Sequence, residues 1–451
     1  MLSINDKINT YTKLFFTLFF ALFFIEKTYI LELKQIFIKQ EELKMEIKLS
    51  EIYGVNKDML GNQNVLVLGG KNSKKFGSFI LPNLVEADRS YIVVDKKGVL
   101  NSGIIRSFKD YKIRTLDLMH PDRSLKYNPL HYIDIDRDTY FSSMDEARKA
   151  INSLNSVLEA MLNINAAPVT DEEEDFVFKE KLLLTILLLH TRDCMQENER
   201  LAKENGTKIG VTNPFLDLLY AIKSYGGGAD GLYIMLYNSS LRPAAEALYQ
   251  RFSEITNRKS DKNCYQIAEA CLNAIRPFAN CRAINNKDEM DLKSIQDEKT
   301  CLFISYNGHE ESCKYAGPVV ATLLNQAMLV FARQTGKEHV QLIMDDFCNY
   351  NMGPEFANLL SILKIPNVSA SIIARDIMDI IKAYPNTWQA LAGNCSTTLF
   401  MGDASPLELY YLNQFGYNTG EALCMKENEC MICSPYRPYM IDAKAPWRVR
   451  F

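Results

Sequence analysis

Two stretches carry residue types whose spacing could grip a nucleoside triphosphate and hydrolyse it. The first is Asn64–Leu84, NVLVLGGKNSKKFGSFILPNL, an apolar run that ends in glycines and lysines before a second apolar run begins. A phosphate-gripping loop needs glycine, four residues, then Gly-Lys-Ser/Thr. Backbone N–H groups wrap the phosphates, lysine reaches the terminal ones and the hydroxyl holds magnesium. Gly69 and Lys75 fall on that template, with Gly70 and Asn72 in the spacer between them. Lys74 stands at the second glycine and Phe76 at the hydroxyl. A side chain obstructs a backbone that must approach phosphate closely, since only glycine lacks the Cβ, and phenylalanine cannot ligate Mg²⁺. A plain strand, turn and helix accounts for this stretch as well as a nucleotide site does.

The second stretch is His339–Asp346, HVQLIMDD. A buried strand ending in paired acids suits ATP hydrolysis: the first carboxylate, Asp345, would hold hydrated Mg²⁺, and the second, usually glutamate, would orient the attacking water. Asp346 is one methylene shorter than glutamate. Apolar strands ending in Asp-Asp are common, so the pair gains weight only when coupled to the loop at Gly69.

Other reactive residues form no constellation. The eleven cysteines are irregularly spaced and odd in number, which suits a reducing compartment rather than a disulfide framework. Cys430 and Cys433 (CMIC) sit in an apolar run with no second pair or nearby histidine to complete a metal tetrahedron, and read as strand residues. His120, His131, His190, His309 and His339 are isolated.

The elements that must position these residues alternate. Apolar runs at Asn64–Leu68, Tyr91–Val94, Lys112–Leu116, Lys299–Ser305, His339–Met344, Val368–Ile373, Thr397–Met401 and Glu429–Ser434 read as strands, the last before a short tail. Helical stretches between strands predict a parallel sheet with its functional loops at the strands' carboxyl ends. From Ser142 to about Asp291 the texture is helical. Helices fit Met144–Ile164, Phe176–Leu189 behind the acidic run Asp171–Asp175, Phe215–Ser224, Ala244–Ile255 and Tyr265–Phe278. Another follows the strand at Lys299, over Ala316–Arg333. The acidic run reads as a solvated helix start favoured by the dipole, Gln196–Gly210 as an exposed polar loop, and Gly226–Gly228 as a loop without the strand or lysine of a phosphate cradle.

At 451 residues the chain exceeds one ordinary core, and a net charge of −4 with 24% charged residues is not the balance of a dedicated nucleic-acid binder. The lysines at 71, 74, 75, 96 and 97 read as solvated loop charge or, alternatively, as an anion-attracting rim. Leu14–Ile25, LFFTLFFALFFI, falls short of the roughly 20 residues that span a bilayer, although Thr28–Phe37 could extend it. Gln40-Glu41-Glu42 back-translates to a ribosome-binding sequence, giving the expectation that translation starts at Met45.

The order of landmarks resembles the TraG/TraD-type coupling proteins of type IV secretion, the conjugative DNA-transfer ATPases. NVLVLGG followed by Pro82-Asn83 resembles the family's phosphate-loop segment, and Asp95-Lys96-Lys97-Gly98 its DPKG with Lys96 replacing proline. Tyr127-Asn128-Pro129 matches YNP, Asp175-Phe176 resembles EDFW, and Glu289–Leu292 with Asp297–Thr300 resembles the return to the sheet. Asp345-Asp346-Phe347 with Asn349 stands for DEFAN, and Gly393-Asn394-Cys395 through Met401-Gly402 for GNCD and LG.

The resemblance implies an α/β fold, a RecA-like P-loop NTPase sheet flanked by helices and interrupted by an all-α domain. Residues 1–44 would be a hydrophobic and charged amino-terminal segment, either a single membrane anchor or a mis-assigned start, 45–141 and 292–451 the two parts of the nucleotide-binding domain, and 142–291 the all-α domain. It further implies ATP and Mg²⁺ as cofactors, with Asp345 the metal ligand. The implied partners are a relaxase–DNA complex and secretion-channel components, met by a homo-hexamer or mixed hexamer. The implied location is the cytoplasmic face of the membrane, or the cytoplasm if the chain starts at Met45. Departures are concentrated at the chemistry: Lys74, Phe76, Asp346, and Arg375-Asp376 where family members carry a γ-phosphate-sensing glutamine. The expectation is a coupling-protein homologue with hydrolysis lost or weak. The alternatives are an active DNA-translocating ATPase and a non-catalytic subunit mixing with an intact homologue.

Overall fold

A computed structural model describes residues 47–55, 62–96, 108–208, 210–256, 263–307, 310–334, 336–362, 367–403, 405–414 and 417–446. The expectations for residues 1–44, Met45, Lys97, Gly98 and His309 lie outside the described residues.

The strands are β1 (Ile47–Lys48), β2 (Gly54–Val55), β3 (Val65–Leu68), β4 (Ser90–Asp95), β5 (Lys112–Asp117), β6 (Thr300–Ser305), β7 (Val340–Met344), β8 (Val368–Ala374), β9 (Thr397–Phe400), β10 (Glu429–Ser434) and β11 (Arg437–Ala443). β1 and β2 form a small hairpin; the other nine make one sheet in the order β11-β10-β9-β3-β8-β7-β4-β6-β5. From β9 to β5 all neighbours are parallel, and β10 and β11 close one edge antiparallel. The tail after Ser434 is therefore a strand: a turn at Tyr436 lets Arg437–Ala443 pair back on β10.

Both faces of the parallel strands are buried, which explains their unbroken apolar runs. Leu66, Leu68, Ile92, Val94, Leu342 and Met344 point into the larger core. Val65, Val67, Tyr91, Val93 and Ile343 point into a smaller one with Phe79, Ile80, Leu84 and the β1–β2 hairpin. The alternation is the period-two geometry of a strand.

Apart from a single bridge between Tyr127 and Ile284, the described residues from Asp117 to Thr300 contain helices and connections, without a further strand. These helices share the larger core: the helix Asn155–Leu162 packs on Glu310–Arg333. Tyr315–Arg333 is long and apolar enough to cross a membrane, but it is mostly buried inside the fold. Two local expectations are corrected. Residues 196–204 are not loop, because the helix begun by the Thr170–Glu173 capping box continues over Asp171–Glu204. Arg200 pairs with Glu197 and Glu204 at helical spacing, a support that leaves no hydrophobic periodicity to read. Met144–Ile164 is two helices, Met144–Asn152 and Asn155–Leu162, broken at Ser153-Leu154.

Buried amides fasten the sheet at the foot of β3. Asn64 accepts from Ala370 N at 2.9 Å and donates to Leu360 O at 3.2 Å and Asn394 O at 3.0 Å. Asn64→Ala removes the acceptor of the buried Ala370 N–H and a donor to Leu360 O, while Asn394 O keeps Asn62 Nδ2 at 2.7 Å. The substitution should lower unfolding free energy by about 2–3 kcal/mol, read as a lower denaturant midpoint at unchanged slope. A loss below about 0.5 kcal/mol would show that the clamp is dispensable.

Candidate functional site

Because β3, β4, β7, β8 and β9 run in one direction, their carboxyl ends meet along one edge of the sheet. β3 delivers Gly69–Lys75, β7 Asp345 and Asp346, β4 Asp95 and Lys96, β8 Arg375, and β9 Met401–Asp403. β8 lies between β3 and β7, with Leu68 opposite Ala374 and Met344 opposite Ile372. The two separated acid and lysine stretches thus converge. Burial lowers the Lys75 ammonium below the usual lysine range, while Asp345, Asp346 and Glu408 pull it upward and Arg375 adds to the depression.

The loop is filled by its own lysine. Lys75 Nζ donates to Gly69 O, to Gly70 O at 3.0 Å and to Ser73 Oγ at 3.3 Å. Gly70 O also accepts from Ser73 Oγ at 2.8 Å and Ser73 N at 3.2 Å. Carbonyl oxygens of the loop therefore serve as acceptors for its own ammonium. Lys74 has φ +65°, the left-handed conformation that explains why the template wants glycine there, and holding a lysine in it costs about 1 kcal/mol. Its side chain leaves the loop and pairs with Glu427 Oε1 at 2.7 Å. Asn72 is exposed at the loop. Phe76, 39% exposed, opens the π-turn Phe76–Ile80. Leu81 N reaches back to Phe76 O there, and Pro82, which has no N–H to give the Ser78 carbonyl, follows it.

The acidic half is also paired off. Burial, with the Asp346 charge beside it, raises the Asp345 carboxyl to about 6. Asp346, at φ +48°, lies 2.6 Å from Lys96 Nζ, so the residue in the water-orienting position is held in an ion pair. Arg375 at the sensor position meets Asp379 at 3.1 Å.

Three acids that sequence reasoning missed complete the edge: Glu427, Asp403 and Glu408. Asp403 packs its carboxylate on Gly70, where a built Cβ would fall 2.0 Å from Oδ2. Glu408 is 1% exposed; Oε2 accepts from Ser405 N at 3.0 Å and Oε1 has no partner among the described residues. Burial raises its carboxyl to about 8. Lys96 was visible in the sequence as a departure and Asp403 directly follows Met401-Gly402, whereas Glu408 and Glu427 carry no local signal.

Acids and bases are mixed along this edge. Asp345, Asp346, Asp376, Asp379, Asp403 and Glu408 gather around Lys75, Lys96 and Arg375, with Lys444 acting on Lys74 and Lys75 from the loop's other neighbour. Of the lysines in the candidate anion-attracting rim, Lys74, Lys75 and Lys96 are engaged internally, Lys71 is exposed at the loop and Lys97 lies outside the described residues. The described residues hold no group of three or more His, Cys, Asp or Glu able to bind a metal, and Cys430 and Cys433 are free, buried strand residues.

The sheet and the strand-end loop define a RecA-like P-loop NTPase fold of the coupling-protein type. Residues 30–384 match the model of the family described as type IV secretory system conjugative DNA transfer, and the chain belongs to that family. It is similar to the bacterial conjugative coupling protein TrwBdeltaN70 in an unbound monoclinic form, with TM-score 0.60, 12% identity and 92% of each chain covered. A trigonal form with sulphate gives TM-score 0.58, 12% identity and 86% coverage of each chain. The plasmid coupling protein TrwB with ADP and Mg²⁺ gives the same three values. No curated protein matches the chain by sequence.

Asp345 and Glu408 both have folded values above their unfolded ones. Each therefore binds protons more tightly when folded, and the stability it gives at low pH is lost as pH rises, through about 6 for Asp345 and about 8 for Glu408. Glu408→Gln removes the second loss. The variant should match wild type near pH 4.5 and exceed it by about 2 kcal/mol at pH 9, checked by denaturation midpoints across that range. A pH-independent difference would refute the burial of this carboxyl.

Proposed function

We propose that this chain acts in conjugative DNA transfer as a coupling-protein homologue that links a relaxase-bound DNA cargo to the type IV secretion channel without hydrolysing ATP. Family membership supports the transfer role. The observation that carries the loss of hydrolysis is the Lys96–Asp346 ion pair at 2.6 Å. Orienting a water requires a free carboxylate, and an adjacent ammonium both neutralises this one and fixes its direction.

Magnesium nucleotide, which TrwB holds in solved structures, does not fit the residues present here. No hydroxyl stands at Phe76, Lys75 is turned onto Gly69 and Gly70, and Asp403 lies against the loop. Losing the metal-binding hydroxyl or the water-positioning group costs orders of magnitude in phosphoryl transfer. The proposed working form is a hexamer, of this chain alone or mixed with an intact homologue, at the cytoplasmic face of the membrane. Contacts there are direct or made through partners.

Purified protein with DNA and Mg·ATP should release phosphate at background rate, and Lys75→Ala should release it at the same rate. DNA-stimulated turnover that disappears in Lys75→Ala would sink the non-hydrolysing reading and favour an active translocase. Deleting the chain from its transfer element should depress DNA transfer; undiminished transfer would remove the coupling role.

A further inference from the structure

The end of β9 sits against the loop that ends β3. Met401 N donates to Leu68 O at 2.8 Å, and the chain then turns through Gly402 at φ +83° and Asp403 at φ +64°. Two successive left-handed residues aim the Asp403 side chain at Gly70. A Cβ built on Gly70 would stand 2.0 Å from Asp403 Oδ2, 2.6 Å from Cγ and 2.9 Å from Cβ, so the whole carboxylate lies on the glycine. The three heavy atoms nearest that built Cβ all belong to Asp403, while Ser73 Oγ and Lys75 Nζ reach the Gly70 carbonyl at 2.8 and 3.0 Å.

Further acids and lysines surround this loop. Glu427 ties the loop through Lys74 at 2.7 Å, and its own backbone carbonyl accepts from Lys444 Nζ at 2.6 Å. Glu408 follows on the helix Pro406–Gln414, and the charges of Asp376, Lys75 and Asp403 all act on it. On the opposite side Lys75 finds its acceptors in loop oxygens. Approach to the loop at Gly70 thus passes the Asp403 carboxylate beside the exposed Lys71, while the Lys75 ammonium is bonded to loop oxygens.

The geometry points to Asp403 as an internal stand-in for a phosphate-type anion: its carboxylate blocks the Gly69–Lys75 loop, which takes pyrophosphate once that carboxylate is gone. The inference rests on the reading of this loop as a disabled phosphate grip. It adds a residue that keeps the grip shut and a ligand class for the opened form. Asp403 is exposed on its outer side, so solvent weakens its field. The expected gain on removing it is about tenfold in affinity rather than several orders of magnitude.

The test is calorimetric titration of the full chain with magnesium-free pyrophosphate, for wild type, Asp403→Gly, Asp403→Asn and the double variant Asp403→Gly/Lys75→Ala. Glycine and asparagine both tolerate the left-handed backbone at this position, and unchanged circular dichroism and thermal midpoint verify the fold. Asp403→Gly should bind pyrophosphate about tenfold more tightly than wild type, and the double variant should lose the gain. A gain in Asp403→Asn as well assigns the block to charge; a gain in Asp403→Gly alone assigns it to volume, and both support the inference. Equal affinity in wild type and both single variants overturns it. So does a gain that survives Lys75→Ala, which would place the anion elsewhere. Absence of ATP turnover is measured separately, so either reading can fail without the other.

Discussion

The constraint on which everything else depends is the common direction of five adjacent central strands. Parallel pairing from β9 through β3, β8 and β7 to β4 obliges residues far apart in sequence to share one edge. A loop at Gly69, acids at Asp345 and Asp346, a cation at Lys96, an arginine at position 375 and a carboxylate at position 403 meet there because of chain direction alone. Any charge introduced at a strand end is therefore felt by all the others, since nothing but a few side chains separates them. The raised Asp345 carboxyl and the lowered Lys75 ammonium are both expressions of that crowding in a partly dry place.

In such a setting an ion must find a partner. With a bound polyphosphate, lysines at this edge would face the ligand. Here four cations are matched inside the chain, Lys96 to Asp346, Lys74 to Glu427, Arg375 to Asp379, and Lys75 to the oxygens of its own loop, and Lys71 stays exposed. The exposed pairs contribute little to stability. Their effect is to fix where these side chains lie, as the loop oxygens fix Lys75 and the turn after β9 sets Asp403 beside Gly70.

The strands were legible in the sequence because burial on both faces leaves continuous apolar runs, and the parallel arrangement followed from the helices between them. The loop at Gly69 and the acid pair after β7 were legible as spacing. β11 was hidden because its residues, Arg437–Ala443, form an edge strand of mixed polarity that reads as a tail. The polar continuation of the long helix to Glu204 was hidden because ion pairs at helical spacing leave no apolar stripe. Glu408 and Glu427 could not be foreseen: each reaches the loop from a separate element, and only the register of β9 and β10 brings those elements close. The Lys96–Asp346 pair lay between these cases, visible as two substitutions but not as one contact.

The landmarks that survive and those that do not differ in physical role. Asn83 of the Pro-Asn landmark holds the β1 backbone through Lys48 N at 2.8 Å and Lys48 O at 2.9 Å. Asn128 of Tyr-Asn-Pro caps the turn Pro129–Tyr132 and donates to Asn286 O at 3.2 Å, while Tyr127 Oη reaches Gln326 on the buried helix. Asn394 of Gly-Asn-Cys accepts from Asn64 and donates to Ala357 O at 2.7 Å. Each satisfies buried backbone groups, so its removal would be felt in folding whether or not ATP is turned over. Positions 74, 76, 346 and 375 satisfy no such group in the core. Their side chains lie at the open edge, where a changed residue costs the fold little and can settle into a surface ion pair. The retained landmarks are thus the ones the fold itself needs, and the departures sit where the fold makes no demand.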